Sequence, residues 1–378
     1  MPITTATGAC SVTLALLLTT ATPLVAGDHW HSATQMADAA RALIATLDTE
    51  QTKATMFPLE DEGRTSWSNL PMIMVRPGGL LVRDMNDEQR IALHGLLRAS
   101  LSSQGYAKVA GIMRLEDQAH QDALAQLEQA ADASPIGRAF ADSYDSQNYA
   151  VAVFGTPGQG DWGWKIAGHH AAANFTVSDG RVGFTPTFLG SNPRVVRSGR
   201  YAGSSTLPHE GDRGLELLAA LDPDQRKTAI IADEKPEDVI EGPGRRSSLE
   251  GYEGLKADRL TAEQARLLRV LVAEYVGNAE FDTAEAQMAR IEQAGWGELW
   301  FSWRGPADPA GRFYYRVHGP RILIEYSRQN ENHDHTIVRD PQNDYGEDWL
   351  GRHYREHHPS MEEVRANVRR AAGLDGDP

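Results

Sequence analysis

A chain of 378 residues with a formal charge of −15 repels nucleic acid and anionic membrane surfaces, so neither is an expected partner. Its single cysteine, Cys10, precedes an apolar run that reads as a removable leader, which leaves the mature chain without a disulfide, a thiolate nucleophile or a cysteine-type zinc site. Any metal must then be held by histidine and carboxylate, and stability must come from a packed core.

The apolar run at residues 12–18 is too short to span a bilayer and is followed by Pro23, Ala26 and Gly27, the pattern of a signal peptide over residues 1–27. Export to a periplasmic or extracellular location is the expectation. No later segment carries the 18 or more apolar residues of a spanning helix, so stable membrane insertion is not expected. Residues 28–378 are read as one α+β domain.

From 32 to 131 the chain reads as helical, with apolar residues at helical spacing over 32–52 and 86–131, as in Ile91, Leu93, Leu96, Leu97 and Leu101. Asn86, Asp222 and Thr261 each precede an acidic first turn with glutamine three residues on, which predicts helix starts there. Unequal spacing makes these caps read as ordinary helix punctuation and not as an internal repeat. Between 149 and 189 the period changes to two, with strands over 149–154, 164–177 and 181–189 and a turn at Ser178, Asp179 and Gly180. Helices return over 211–294 around a loop at 235–254. A second strand group spans 298–339, with a turn at His318, Gly319 and Pro320, and two polar helices close the chain over 346–373. Strand groups separated by helices, with no βαβ alternation, define an α+β protein with an antiparallel sheet built from both groups and flanked by helices.

The chemistry concentrates in 333–353, which holds His333, His335 and His353 together with Arg339, Asp340 and Asp344. On a strand, His333 and His335 share a face, the usual way for a strand to offer two nitrogens to one ion. His169 and His170, between Gly168 and a run of alanines, read as strand residues on opposite faces, so one of them is expected in the site. The expected metal ligands are therefore His170, His335 and His353, then His169 and His333. The ion is expected to be a divalent transition metal, zinc first and iron or copper as alternatives. Asp344 or Asp340 is the candidate general base and Arg339 the candidate oxyanion stabiliser. Trp162 and Trp164 are candidate stacking platforms for substrate. Glu116 with His120, four apart on a helix, reads as an exposed local pair, and His209 with Glu210 as a weaker one. Nucleophile-elbow, phosphate-loop and His-Glu-Xaa-Xaa-His patterns are absent.

Trp162-Gly163-Trp164, Gly168-His169-His170, Thr185-Pro186 with Gly190, Tyr314-Tyr315-Arg316 and the segment from His335 to His353 resemble the family known as domain of unknown function 3500. The resemblance covers roughly residues 42–358 and implies a bacterial or fungal module, often exported, with no reaction attached. The residues themselves point to an exported metal-dependent hydrolase acting on a small-molecule or carbohydrate substrate. The alternatives are a binding protein for a carbohydrate or small anion, and an oxygen-using iron or copper enzyme.

Overall fold

The computed structural model describes residues 30–130 and 134–357, with side chains over 31–352 of these. The leader and the second C-terminal helix lie outside the described residues. In chain order the elements are α1 (Trp30–Ala45), α2 (Thr49–Thr55), β1 (Met56–Phe57), β2 (Leu80–Leu81), α3 (Asp87–Ser100), α4 (Ser103–Gln129) and α5 (Pro135–Ala141). Strands β3 (Ala150–Thr156), β4 (Gln159–Gly168), β5 (Ala171–Ser178), β6 (Arg181–Gly183) and β7 (Thr187–Ser191) follow. Then come α6 (Glu210–Ala220), α7 (Pro223–Ala229), β8 (Ile230–Ala232), β9 (Leu255–Lys256), α8 (Ala262–Val276) and α9 (Phe281–Ala294). The meander β10 (Trp300–Arg304), β11 (Tyr314–Gly319), β12 (Ile322–Asn330) and β13 (His333–Arg339) leads to α10 (Glu347–His357).

All thirteen strands join one open, mostly antiparallel sheet in the order β1-β3-β4-β5-β7-β13-β12-β11-β10-β8, with β2 on β3, β6 on β5 and β9 on β10. Both expected strand groups thus enter one α+β sheet, and they meet at β7 and β13. The period-two pattern divides each strand between two faces. One face is apolar: Trp162, Trp164, Ile166, Phe175, Val317, Ile324 and Tyr326 pack with α1, α3, α6 and α8 in the main core. The other carries buried polar side chains around a small apolar cluster that includes Ala167, Ala172, Phe188 and Ile337, and it lies under irregular segments, which it pins by their backbone. Lys165 donates to the carbonyls of Gly63 and Ser66. Glu325 accepts from Ile240 N and from Glu241 N at 2.8 Å. A buried carboxylate costs little when amide donors surround it.

The two halves of the sheet repeat one another. In the first, Asp48 caps α2 in a capping box with Gln51, and Asn86 caps α3 in a box with Gln89. Gln51 Nε2 donates to Asp84 O at 2.8 Å, Gln89 Nε2 donates to Thr46 O at 2.9 Å, and the two amides meet. In the second, Asp222 caps α7 with Gln225 and Thr261 caps α8 with Gln264. Gln225 Nε2 donates to Arg259 O at 2.8 Å, Gln264 Nε2 donates to Ala220 O at 2.8 Å, and these amides also meet.

Each half then places a short parallel strand beside its first long strand, β1 on β3 and β8 on β10, and a short antiparallel one, β2 or β9. The halves face each other across an approximate two-fold axis. In the sheet it passes between Phe188 and Ile337, whose neighbours pair reciprocally as Thr187 with Val338 and Leu189 with Thr336. In the helical layer Ser102 N donates to Asn278 O and Glu280 N to Ser100 O, both at 3.1 Å, around the Leu101–Ala279 bridge. The caps at Asn86 and Thr261 are therefore repeat equivalents, which corrects the reading of them as unrelated punctuation.

Three local expectations also change. The strand expected over 164–177 breaks at His169 and His170, which form a two-residue turn between the paired Gly168 and Ala171. The turn expected at His318 moves to Pro320 and Arg321, because His318 pairs with Leu323 and Gly319 with Ile322. The strand expected over 181–189 is interrupted between Gly183 and Thr187, where Pro186 has no N–H to give a ladder.

Candidate metal centre

The site forms at one end of the sheet, where the β4–β5 turn, the end of β7 and the start of β13 converge. His170 takes the left-handed conformation at φ 63°, uncommon for a residue with a side chain. Its carbonyl accepts from Gly190 N at 2.6 Å. A Cβ at position 190 would stand 2.7 Å from His170 Cδ2 and 3.0 Å from His335 Cδ2, so only glycine there lets the two rings approach. Gly168 plays the same part beneath Tyr149, whose hydroxyl donates to His169 O.

Three imidazoles meet through the same ring atom. His333 Nε2 lies 2.9 Å from His170 Nε2 and 2.8 Å from His335 Nε2, and the His170 and His335 ring centroids are 5.2 Å apart. A carboxylate stands behind the imidazoles on each side. Asp238 Oδ1 lies 2.8 Å from His335 Nδ1, and Glu116 Oε2 lies 2.9 Å from His169 Nδ1 with its other oxygen 3.8 Å from His170 Nδ1. A carboxylate at Nδ1 keeps the proton there and leaves the Nε2 lone pair for a ligand. Burial, then the neighbouring imidazoles, hold His170 well below the usual histidine range, and the same causes push His333 down to about 3. Burial raises the Glu116 carboxyl against the opposing bond from His169.

His169 stacks on His170 with centroids 3.7 Å apart and also faces Tyr144. The cluster floors a cleft of about 480 Å³ whose walls include Asn69, Pro71, Met74, Phe140, Tyr144 and Arg245. Met74 and Phe140 are exposed apolar side chains at its rim.

The expected site residues divide into three groups. His170, His333 and His335 come together, and both members of the His169-His170 pair reach the cluster because a turn, unlike a strand, sends neighbouring side chains the same way. Arg339, Asp340 and Asp344 lie at the opposite end of β13. There Arg339 pairs with Asp344 at 2.6 Å and donates to Glu241 O, while Asp340 pairs with Arg321 at 2.8 Å. Trp162 and Trp164 are 1% exposed in the helix-side core, with Trp164 stacked on Phe175; their rings fill the core and are not available as platforms. His353 falls on α10, and its side chain lies outside the described residues. His120 bonds Ala141 O and takes no part.

Two site residues escaped the sequence reading. Glu116 was visible only as one half of a common helical spacing. Asp238 sits in the loop read as a linker, where nothing local marks a contact reaching 97 residues along the chain.

These features define an α+β protein with a buried histidine cluster at one end of a duplicated sheet. The family described as protein of unknown function (DUF3500) matches residues 30–347, and the chain belongs to that family. No curated protein and no solved structure matches it significantly.

Proposed function

We propose that the chain is an exported metal-dependent hydrolase that holds one divalent transition ion, zinc first, through Nε2 of His170, His333 and His335. The observation that carries this reading is the meeting of three imidazoles at Nε2, with His333 Nε2 within 2.9 Å of that atom in both His170 and His335. At most one proton can bridge each such contact, whereas a single cation satisfies all three lone pairs. The carboxylates stand behind the imidazoles, which favours a three-histidine zinc or copper site over the two-histidine, one-carboxylate site of non-haem iron.

An ion held by His170, His333 and His335 would lower the pKa of a coordinated water toward neutrality and so would supply hydroxide without serine or cysteine. His169, held by Glu116 beside the ligands, is then the group placed to take and return a proton. The substrate is a small molecule with an apolar part for Met74 and Phe140 and a polar or anionic part for Arg245. Burial of Trp162 and Trp164 removes the main support for carbohydrate stacking.

Elemental analysis of zinc-loaded protein tests the reading. One ion per chain is expected in the wild type and none in His333→Ala or His335→Ala. Full retention in either variant sinks it. Export is tested by intact mass of the native extracytoplasmic protein, which should lack residues 12–18.

A further inference from the structure

The approximate two-fold axis puts a second ligand site at the other end of the sheet. The β4–β5 turn at His169 and His170 has its repeat equivalent in the β11–β12 turn at Pro320 and Arg321. Arginines gather there where histidines gather at the first. A cleft of about 580 Å³ is lined by Arg181 from β6, Arg290 from α9, Arg321 from the turn, and Trp349 and Arg352 from α10. Four guanidiniums face two lining carboxylates, Asp282 and Asp348, an inversion of sign in a chain of charge −15.

Three of the four guanidiniums make an ion pair, and the fourth, Arg290, makes none among the described residues. Arg321 pairs with Asp340 at 2.8 Å, but its Nε is buried and makes no hydrogen bond. Arg352 reaches Asp348 only at 3.5 Å, and Arg181 pairs with Asp179 outside the cleft lining at 3.1 Å. Arg290 is the strongest case. Its Nε and one terminal nitrogen share a single neutral acceptor, Gln287 Oε1, and among the described residues no carboxylate forms an ion pair with it. Burial pushes its pKa down to about 10 against the opposing field of Asp340, yet guanidinium stays charged at neutral pH, and a half-buried charge without an ion pair is costly. Arg181 and Arg290 both lie over the Trp349 ring, at 5.2 and 5.1 Å. A Cβ at position 183 would meet that ring at 3.3 Å, so the indole packs closely against Gly183.

We propose that this cleft is a binding site for a small oxyanion of two or more negative charges, with Arg290, Arg321 and Arg352 as its principal donors. Guanidinium forks match phosphate and carboxylate geometry with paired hydrogen bonds. The volume admits an organic phosphate or a dicarboxylate as readily as an inorganic ion. The site is separate from the histidines and does not require the metal reading.

Thermal unfolding and titration calorimetry with inorganic phosphate, sulfate and succinate, each against sodium chloride at equal ionic strength, test it. Phosphate or succinate should raise the wild-type midpoint by several degrees beyond chloride. Arg290→Gln should lose that response while keeping its metal content, and should match or exceed the wild type in stability without anion. Arg352→Gln alters an exposed side chain, so it reports even if Arg290→Gln does not fold; it should weaken phosphate binding several-fold. Arg266→Gln, outside the cleft lining and paired with Glu263, should leave anion binding unchanged. Equal responses to chloride and the oxyanions, or wild-type binding by Arg290→Gln or Arg352→Gln, would overturn the proposal.

Discussion

Asp238 Oδ1 lies 2.8 Å from His335 Nδ1, and the two residues are 97 apart in the chain. That contact sets which nitrogen of His335 faces the cleft. It also fastens the 233–254 segment over the sheet, because the same oxygen accepts from Gln329 Nε2 at 2.8 Å.

Asp238→Ala should therefore weaken zinc binding by about 10- to 100-fold, the usual cost of losing a group that orients a ligand imidazole. The fold should survive, since Asp238 is partly exposed. Competition with a coloured chelator measures the affinity; a wild-type value would mean that His335 is oriented without the carboxylate.

Gly190→Ala should disrupt the site more than Asp238→Ala does. The new methyl would press on His170 and His335 at 2.7 and 3.0 Å, and neither ring can retreat, because His170 is packed between its neighbours and His335 is tied to Asp238. Zinc content should fall to background while far-ultraviolet circular dichroism is unchanged. Normal metal content would show that the rings can part.

Local signals carried much of the fold and less of the site. Capping boxes at Asn86, Asp222 and Thr261 marked three helix starts because a cap is written within four residues. His333 and His335 shared a face because strand period is two. The turn at His169 and His170 was hidden, since it lacks the Asn-Gly or Asp-Gly signal of a two-residue hairpin. The repeat was hidden as well: Trp164 against Tyr315 and Lys165 against Arg316 preserve size and charge but not identity. Contacts from Asp238 and Glu116 to the cluster are tertiary and leave no periodic trace.

The repeated glutamine networks should contribute alike. Gln89→Ala and Gln264→Ala each strand a backbone carbonyl, Thr46 O or Ala220 O, and a partner amide. Each should destabilise the protein by about 1–3 kcal/mol, the cost of an unsatisfied buried polar group. Denaturant unfolding measures this, and a cost confined to one half would show that the two networks are alike in shape only.

Acid sensitivity should arise partly from His318. Burial, and then the neighbouring Arg316, push it down to about 4, whereas an unfolded histidine titrates near 6.5. Between those values the unfolded chain holds a proton that the folded chain does not, so stability falls as pH drops from about 6.5 to 4. His318→Gln should flatten that limb of the midpoint-against-pH curve relative to the wild type and leave metal content unchanged. Parallel curves would place the acid sensitivity elsewhere.

His169 separates holding a metal from using it. Its Nδ1 faces Glu116 at 2.9 Å while the ring lies on His170 and borders the cleft, so it stands beside the three-imidazole set without joining the Nε2 meeting. His169→Ala should keep one zinc per chain. Cobalt-substituted His169→Ala should likewise keep the visible absorption of wild-type cobalt protein, because the three ligand nitrogens are untouched. Hydrolysis of whichever activated ester or phosphoester the wild type accepts should fall by about 100-fold or more, the usual share of a positioned acid or base, with the loss in kcat and little change in KM. His169→Gln keeps a polar side chain without a titratable ring and should be equally slow. Loss of the ion in His169→Ala would make His169 a ligand, and full activity would leave the proton transfer to solvent.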